Sequence, residues 1–135
     1  MVLGTLDQIY RPMPVPVLVL VDDDPAVRHA LSFAFETAGI RVVTFADAEA
    51  ALSVRDRTAW SCLVLDQKLP GISGLDLLER LRAAGVEAPT ILITTHPTRI
   101  TRQRALAAGV EIVEKPLLDN QLSQKVREIM IGASG

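Results

Sequence analysis

The sequence predicts an α/β protein with a doubly wound (βα)5 fold, a parallel five-stranded sheet carrying helices on both faces. Three observations carry this. Five short apolar runs alternate with five longer stretches of helical period. The runs are rich in Val, Leu and Ile, and three of them are apolar on both faces, as in strands covered on two sides. Hydrophobic residues make up 49% of the chain and aromatic ones only 4%, so the core must be aliphatic.

The elements follow in order. Residues 1–15 read as an irregular lead-in, because Pro12, Pro14 and Pro16 each remove a backbone donor. Strands are expected at Val17–Val21, Arg41–Phe45, Cys62–Leu65, Thr90–Thr94 and Glu111–Glu114. A helix over about 25–38 carries Val27, Leu31, Phe35 and Ala38 on one stripe and stops at Gly39. A second runs over about 48–55. The third, 74–84, aligns Leu75, Leu78 and Leu81 and ends at Gly85; the fourth, 98–108, ends at Gly109. The fifth covers 119–131, leaving 132–135 as a tail. At 135 residues, with no repeat or linker, one domain is the economical reading.

Composition narrows the function. Fourteen basic and sixteen acidic residues give a net charge of −2, which is not the basic footprint of a nucleic-acid-binding domain. The lone Cys62 has no internal partner and suits a reduced thiol in a cytoplasmic protein. The apolar run at Val17–Val21 falls far short of the ~20 residues that span a bilayer, and the order of residues before it is not that of a secretory signal. A soluble protein off the membrane is expected.

In folds of this class, ligands sit beyond the carboxyl ends of the strands, so the residues there matter most. The first strand ends in Asp22-Asp23-Asp24-Pro25. Helix capping accounts for Asp24, with Pro25 at the first helical position. It does not account for Asp22 and Asp23, whose mutual repulsion a divalent cation such as Mg²⁺ would relieve. The third strand runs into Asp66, either a turn former or a nucleophile able to form an acyl phosphate. Thr94 ends the fourth strand, where its hydroxyl could meet a phosphoryl oxygen but, taken alone, more often satisfies a local backbone group. Lys115 ends the fifth, as a surface cation or as a counter-ion and oxyanion clamp for the acids. The four together, in that order, are far more specific than any one.

These residues resemble the receiver domain of two-component response regulators, a CheY-like, flavodoxin-like fold, over about 16–131. The likeness rests on Val-Leu-Val-Asp22-Asp23-Asp24-Pro25-Ala-Val-Arg28, Leu-Val-Leu-Asp66-x-x-Leu-Pro70-Gly-x-Ser-Gly74, Ile-Leu-Ile-Thr94 and Glu-Lys115-Pro116. The Pro70–Gly74 stretch and Glu-Lys-Pro look most like receivers of the FixJ type. The resemblance implies that Asp66 is the phosphoacceptor. It implies that Asp23, Asp66 and the backbone carbonyl of Lys68 hold Mg²⁺, with Asp22 acting through metal-bound water. Thr94 would be the switch hydroxyl and Lys115 the phosphate-contacting lysine, before a peptide bond that is usually cis in the family.

The chain departs from the common pattern in four places. Ile112 stands where most receivers carry Tyr or Phe, and Thr95 where a smaller residue is usual. Lys68 puts a cation two residues after the phosphoacceptor. The stretch from Gly109 to Lys115 is one residue shorter. The fourth helix carries Arg99, Arg102 and Arg104 with no acid between Thr94 and Val110, and Arg99 and Arg102 share a face. That face is either a solvated surface or, as the resemblance implies, part of an output surface of the fourth helix, fifth strand and fifth helix that switches, forms a homodimer or meets a partner.

The implied function is therefore acceptance of a phosphoryl group from a sensor histidine kinase or histidine phosphotransfer protein, by a signalling domain rather than a separate enzyme. A degenerate receiver acting by contact alone is the alternative. A haloacid-dehalogenase-type phosphatase would share the Asp22-x-Asp24 start but needs a paired acidic motif after Lys115, and a flavodoxin-like cofactor binder needs a phosphate loop where the aspartates stand. No effector domain lies within these residues, so the chain reads as a stand-alone receiver or as the N-terminal part of a longer regulator.

Overall fold

The computed structural model describes residues 15–117 and 119–132. The predicted lead-in up to residue 14 and the tail from 133 onward lie outside the described residues. Five strands and five helices alternate: β1 (Val17–Val21), α1 (Pro25–Thr37), β2 (Arg41–Phe45), α2 (Ala48–Leu52), β3 (Trp60–Asp66), α3 (Gly74–Ala83), β4 (Thr90–Thr94), α4 (Arg99–Ala107), β5 (Glu111–Glu114) and α5 (Gln121–Ile131). All strand pairs are parallel and the sheet order is β2-β1-β3-β4-β5. The predicted fold class is the one observed.

Alternation of side chains along the strands makes two cores. Val17, Val19, Val21, Leu63, Leu65 and Leu92 face α2, α3 and α4, where Ala51, Leu77, Leu81 and Ala105 meet them. Leu18, Leu20, Cys62, Val64, Ile91 and Ile93 face α1 and α5 through Phe35, Leu122 and Val126. β1 and β4 are buried along their whole length, which explains their unbroken apolar runs. Burial also pushes the Cys62 thiol up to about 12, so it stays protonated and packs as a small apolar side chain. β2 lies at the edge, and only Val42 and Phe45 along it are partly covered.

Boundaries moved where side chains intervene. β3 starts at Trp60, two residues earlier than expected, because Trp60 pairs with Val17 and its ring packs 5.9 Å from that of Phe45. α2 ends at Leu52 rather than 55. Ser53 Oγ donates to the Glu49 carbonyl and Arg57 Nη2 to the Leu52 carbonyl, satisfying helix-end groups that another turn would have used. α5 begins at Gln121, two residues later than expected, where its N–H donates to Asp119 Oδ1.

The chain passes from β1 outward to β2, then crosses back to β3 on the other side of β1. The carboxyl ends of β1 and β3 thus flank the topological switch point, and both end in acids.

Candidate functional site

Asp22 extends β1 by one residue, its N–H donating to the Phe45 carbonyl at 3.1 Å. Its side chain is fully buried, and both oxygens have donors: Oδ1 accepts from the Asp24 N–H at 2.9 Å and Oδ2 from Lys115 Nζ at 2.9 Å. Asp23 is exposed. Asp24 is the N-cap of α1, accepting from the Ala26 N–H at 2.9 Å, as the capping reading requires.

Asp66, the last residue of β3, is 5% exposed. Its Oδ1 accepts from the Lys68 N–H at 3.3 Å and its Oδ2 from Lys115 Nζ at 3.2 Å. Burial pushes its carboxyl above the usual range; the nearby Asp22 charge adds to this and Lys115 opposes it. Burial would lower the Lys115 ammonium, but hydrogen bonds and charge from Asp22 and Asp66 outweigh that and leave it raised.

Carboxylate oxygens of Asp22, Asp23 and Asp66 lie within 4.8 Å of one another. Against these three carboxylates stands one buried ammonium, that of Lys115, so charge remains uncompensated. An all-oxygen donor set with surplus negative charge fits a hard divalent cation such as Mg²⁺.

Thr94 closes β4 and is buried, and its carbonyl accepts from the Lys115 N–H at 2.8 Å. The β3–β4 register sets Asp66 beside Ile93, with the Gln67 N–H donating to the Ile93 carbonyl at 3.0 Å. The Lys115–Pro116 peptide is cis. Lys68 and His96 point into solvent, and Thr95 is half-buried; His96 holds a left-handed backbone with φ of 49°. Ile112 is half-buried and packs on the α2–α3–α4 side of the sheet.

The structure thus brings Asp22, Asp23, Asp66 and Lys115 together at the carboxyl ends of β1, β3 and β5, with Thr94 at the end of β4 between the last two. It does not bring Arg99 or Arg102 to that site. Arg102 pairs with Glu114 at 2.7 Å, while Arg99 makes no ion pair among the described residues. Arg104 on α4 makes a tie whose partners the sequence did not indicate: it contacts Asp76 and Glu79 of α3, each at 3.0 Å.

Sequence reasoning also missed three supports of the pocket. Arg28 donates to the Asp22 carbonyl at 2.7 Å, bracing the acidic turn from α1. Gln67 Oε1 accepts the Leu75 N–H at 3.0 Å and caps α3 from inside the site. Gly74 opens α3 because a Cβ there would stand 2.4 Å from the Asp66 carbonyl oxygen. The signal for it was present: glycine is a poor helix residue, so one at a helix start beside a Ser73 cap implies close approach by another backbone.

Residues 18–127 match the family described as the response regulator receiver domain. The transcriptional regulatory protein FixJ of Bradyrhizobium diazoefficiens is 33% identical over 110 residues, covering 81% of this chain and 54% of that protein. The FixJ protein of Azorhizobium caulinodans is 37% identical over 117 residues, covering 86% of this chain and 55% of that one. Among solved structures, a response regulator receiver domain protein (CheY-like) from Methanospirillum hungatei JF-1 superposes with a TM-score of 0.78 at 24% identity, covering 87% of this chain and 94% of that one. That likeness bears on the fold. The chain spans about half the length of the curated relatives it matches.

Proposed function

The chain belongs to the response regulator receiver domain family of two-component systems, and from that premise we propose that Asp66 accepts a phosphoryl group from a sensor histidine kinase or histidine phosphotransfer protein. One observation carries the proposal: the Asp66 carboxylate ends β3 in direct contact with Lys115 Nζ and within reach of two further acids. In the transfer, an Asp66 oxygen bonds to phosphorus as the phosphorus–nitrogen bond of the donor phosphohistidine breaks, and the imidazole leaves. Charge rather than covalent chemistry limits such a step, so positioning and electrostatics do most of the catalysis.

Each residue has a part in this reading. Lys115 holds one Asp66 oxygen beforehand and the transferred phosphoryl oxygens afterwards. Asp23, Asp66 and the Lys68 carbonyl would hold Mg²⁺, which would supply charge neutralisation at the phosphoryl oxygens. Asp22 would act on that ion only through water, in keeping with its two oxygens already accepting from Asp24 and Lys115. Thr94 donates its hydroxyl to the new phosphoryl group and draws the start of α4 with it, Thr95 narrows the approach, and Ile112 fills the space behind.

The receiver unit is taken as residues 16–131, an accessory of signalling rather than an enzyme on outside substrates, promoting only its own phosphorylation and dephosphorylation. Output runs through the α4–β5–α5 surface, where Arg99 and Arg102 face a homodimer mate or an acidic partner, and not through nucleic acid bound by this domain. A cytoplasmic setting goes with such phosphodonors; among the described residues no helix is long and apolar enough to cross a membrane. The acidic pocket does not favour a receiver working by contact alone.

Intact-mass measurement with Mg²⁺ and acetyl phosphate tests the reading. A single labile phosphoryl adduct is expected on the wild type, absent from Asp66→Asn and abolished by EDTA. An adduct that survives Asp66→Asn would place the chemistry elsewhere.

A further inference from the structure

Asp22 and Asp66 each have both carboxylate oxygens held by hydrogen bonds, whereas the exposed side chain of Asp23 has none among the described residues. The main chain therefore sets where the Asp23 carboxylate can stand. Peptide units are planar, so the two that flank its Cα fix its φ and ψ. Both are tied. The unit after Asp23 is held through the Asp24 N–H, which donates to Asp22 Oδ1 at 2.9 Å. The unit before it is held through the Asp22 carbonyl, which accepts from Arg28 Nη1 at 2.7 Å. The first tie is made within the turn itself; the second comes from a side chain of α1.

We propose, on the reading of this pocket as an Mg²⁺ site, that Arg28 is a positioning residue for the cation: it fixes the Asp22–Asp23 peptide so that an Asp23 oxygen stands within 4.8 Å of those of Asp22 and Asp66. What Arg28 leaves alone supports this. It lies half-buried beside three consecutive aspartates, yet it makes no ion pair among the described residues. A guanidinium forked onto the Asp23 carboxylate would compete with a metal ion for the same oxygens. On the carbonyl it holds the backbone through a short, charge-assisted bond and leaves those oxygens to the ion.

The sign of the effect separates positioning from charge. By Coulomb's law alone, removing a positive group close to the acids should tighten Mg²⁺ binding. Removing a group that orients a ligand should weaken it, typically by ~10-fold or more.

Mg²⁺ is titrated calorimetrically into the full chain and into three variants, each shown to be folded by its urea transition. Arg28→Met and Arg28→Gln both lack the charge and the reach to the carbonyl, so either one suffices if the other does not fold. Each is expected to bind Mg²⁺ about 10-fold more weakly than the wild type. Arg28→Lys, which keeps one charged donor, should recover part of the loss. Unchanged or tighter binding by the neutral variants overturns the proposal, and a urea midpoint that falls while affinity holds would make Arg28 a brace for α1 only. A loss in Arg28→Lys as large as in Arg28→Met also overturns it. A wild-type chain that binds no Mg²⁺ would instead remove the pocket reading beneath it.

Discussion

Two of the regions where carboxylates meet cations in this molecule differ in burial, and burial separates what the meetings do. At the strand ends, Lys115 reaches Asp22 and Asp66, side chains exposed by only 19%, 0% and 7%. On α4, Arg102 meets Glu114 with both side chains more than half exposed, and Arg104 meets a partly exposed Asp76 and a largely exposed Glu79. Distances in the two regions are alike, near 3 Å. The energies differ, because a unit-charge pair at 4 Å is worth ~1 kcal/mol in water and ~4 kcal/mol at an effective dielectric of about 20. The buried cluster therefore cannot lose its one cation cheaply. The exposed ties trim the orientation of α4 and are screened by salt.

Removing the buried cation is the severest way to break that contrast. Lys115→Met should destabilise the fold by ~3 kcal/mol in urea titration, since it leaves buried acids without a counter-ion. A loss below about 1 kcal/mol would mean that burial does not set the value of the pair. The same variant should fail to accept phosphate from acetyl phosphate.

Neutralising an acid should act the other way. The Asp66 carboxyl is raised by burial and by Asp22, so its ionisation opposes folding: the cost is absent below the ordinary value of 3.8 and grows as pH rises through the folded-state value. Asp66→Asn is expected to stabilise the chain by ~1 kcal/mol at neutral pH, a common gain when a functional site is relaxed. That advantage should narrow as pH falls toward 4 in paired melting curves. A variant less stable than wild type at pH 7 would sink the argument.

The smallest effects belong to α4. Arg104→Gln should cost ~0.5 kcal/mol, through loss of two acid contacts, and Arg102→Gln less. Both losses should disappear in high salt, whereas that of Lys115→Met should persist. Equal salt sensitivity in the two regions would erase the distinction between them.

Much of the site was legible because it depends on period and position. Alternating strands and helices dictate a parallel sheet, and any residue just after a strand lands on one edge of it. Asp22, Asp66, Thr94 and Lys115 needed no more than that to be gathered. What stayed hidden depends on side chains of distant elements meeting by shape. Arg104 lies 28 residues from Asp76, and no local pattern announces that α3 and α4 pack with those turns opposed. The bond from Arg28 to the Asp22 carbonyl follows from the entry angle of α1. α2 stopped short at Leu52 because Arg57, five residues on, caps it with a side chain, while the apolar period by itself ran further.

Cys62 carries a practical consequence. Fully buried and with its thiol raised to about 12, it offers almost no thiolate to alkylating dyes or spin labels at neutral pH. A cysteine introduced on the surface would be modified selectively in the native protein, with the wild-type core left intact. The chain is thus ready for single-site probes placed on α4, with no cysteine-free background to be built first.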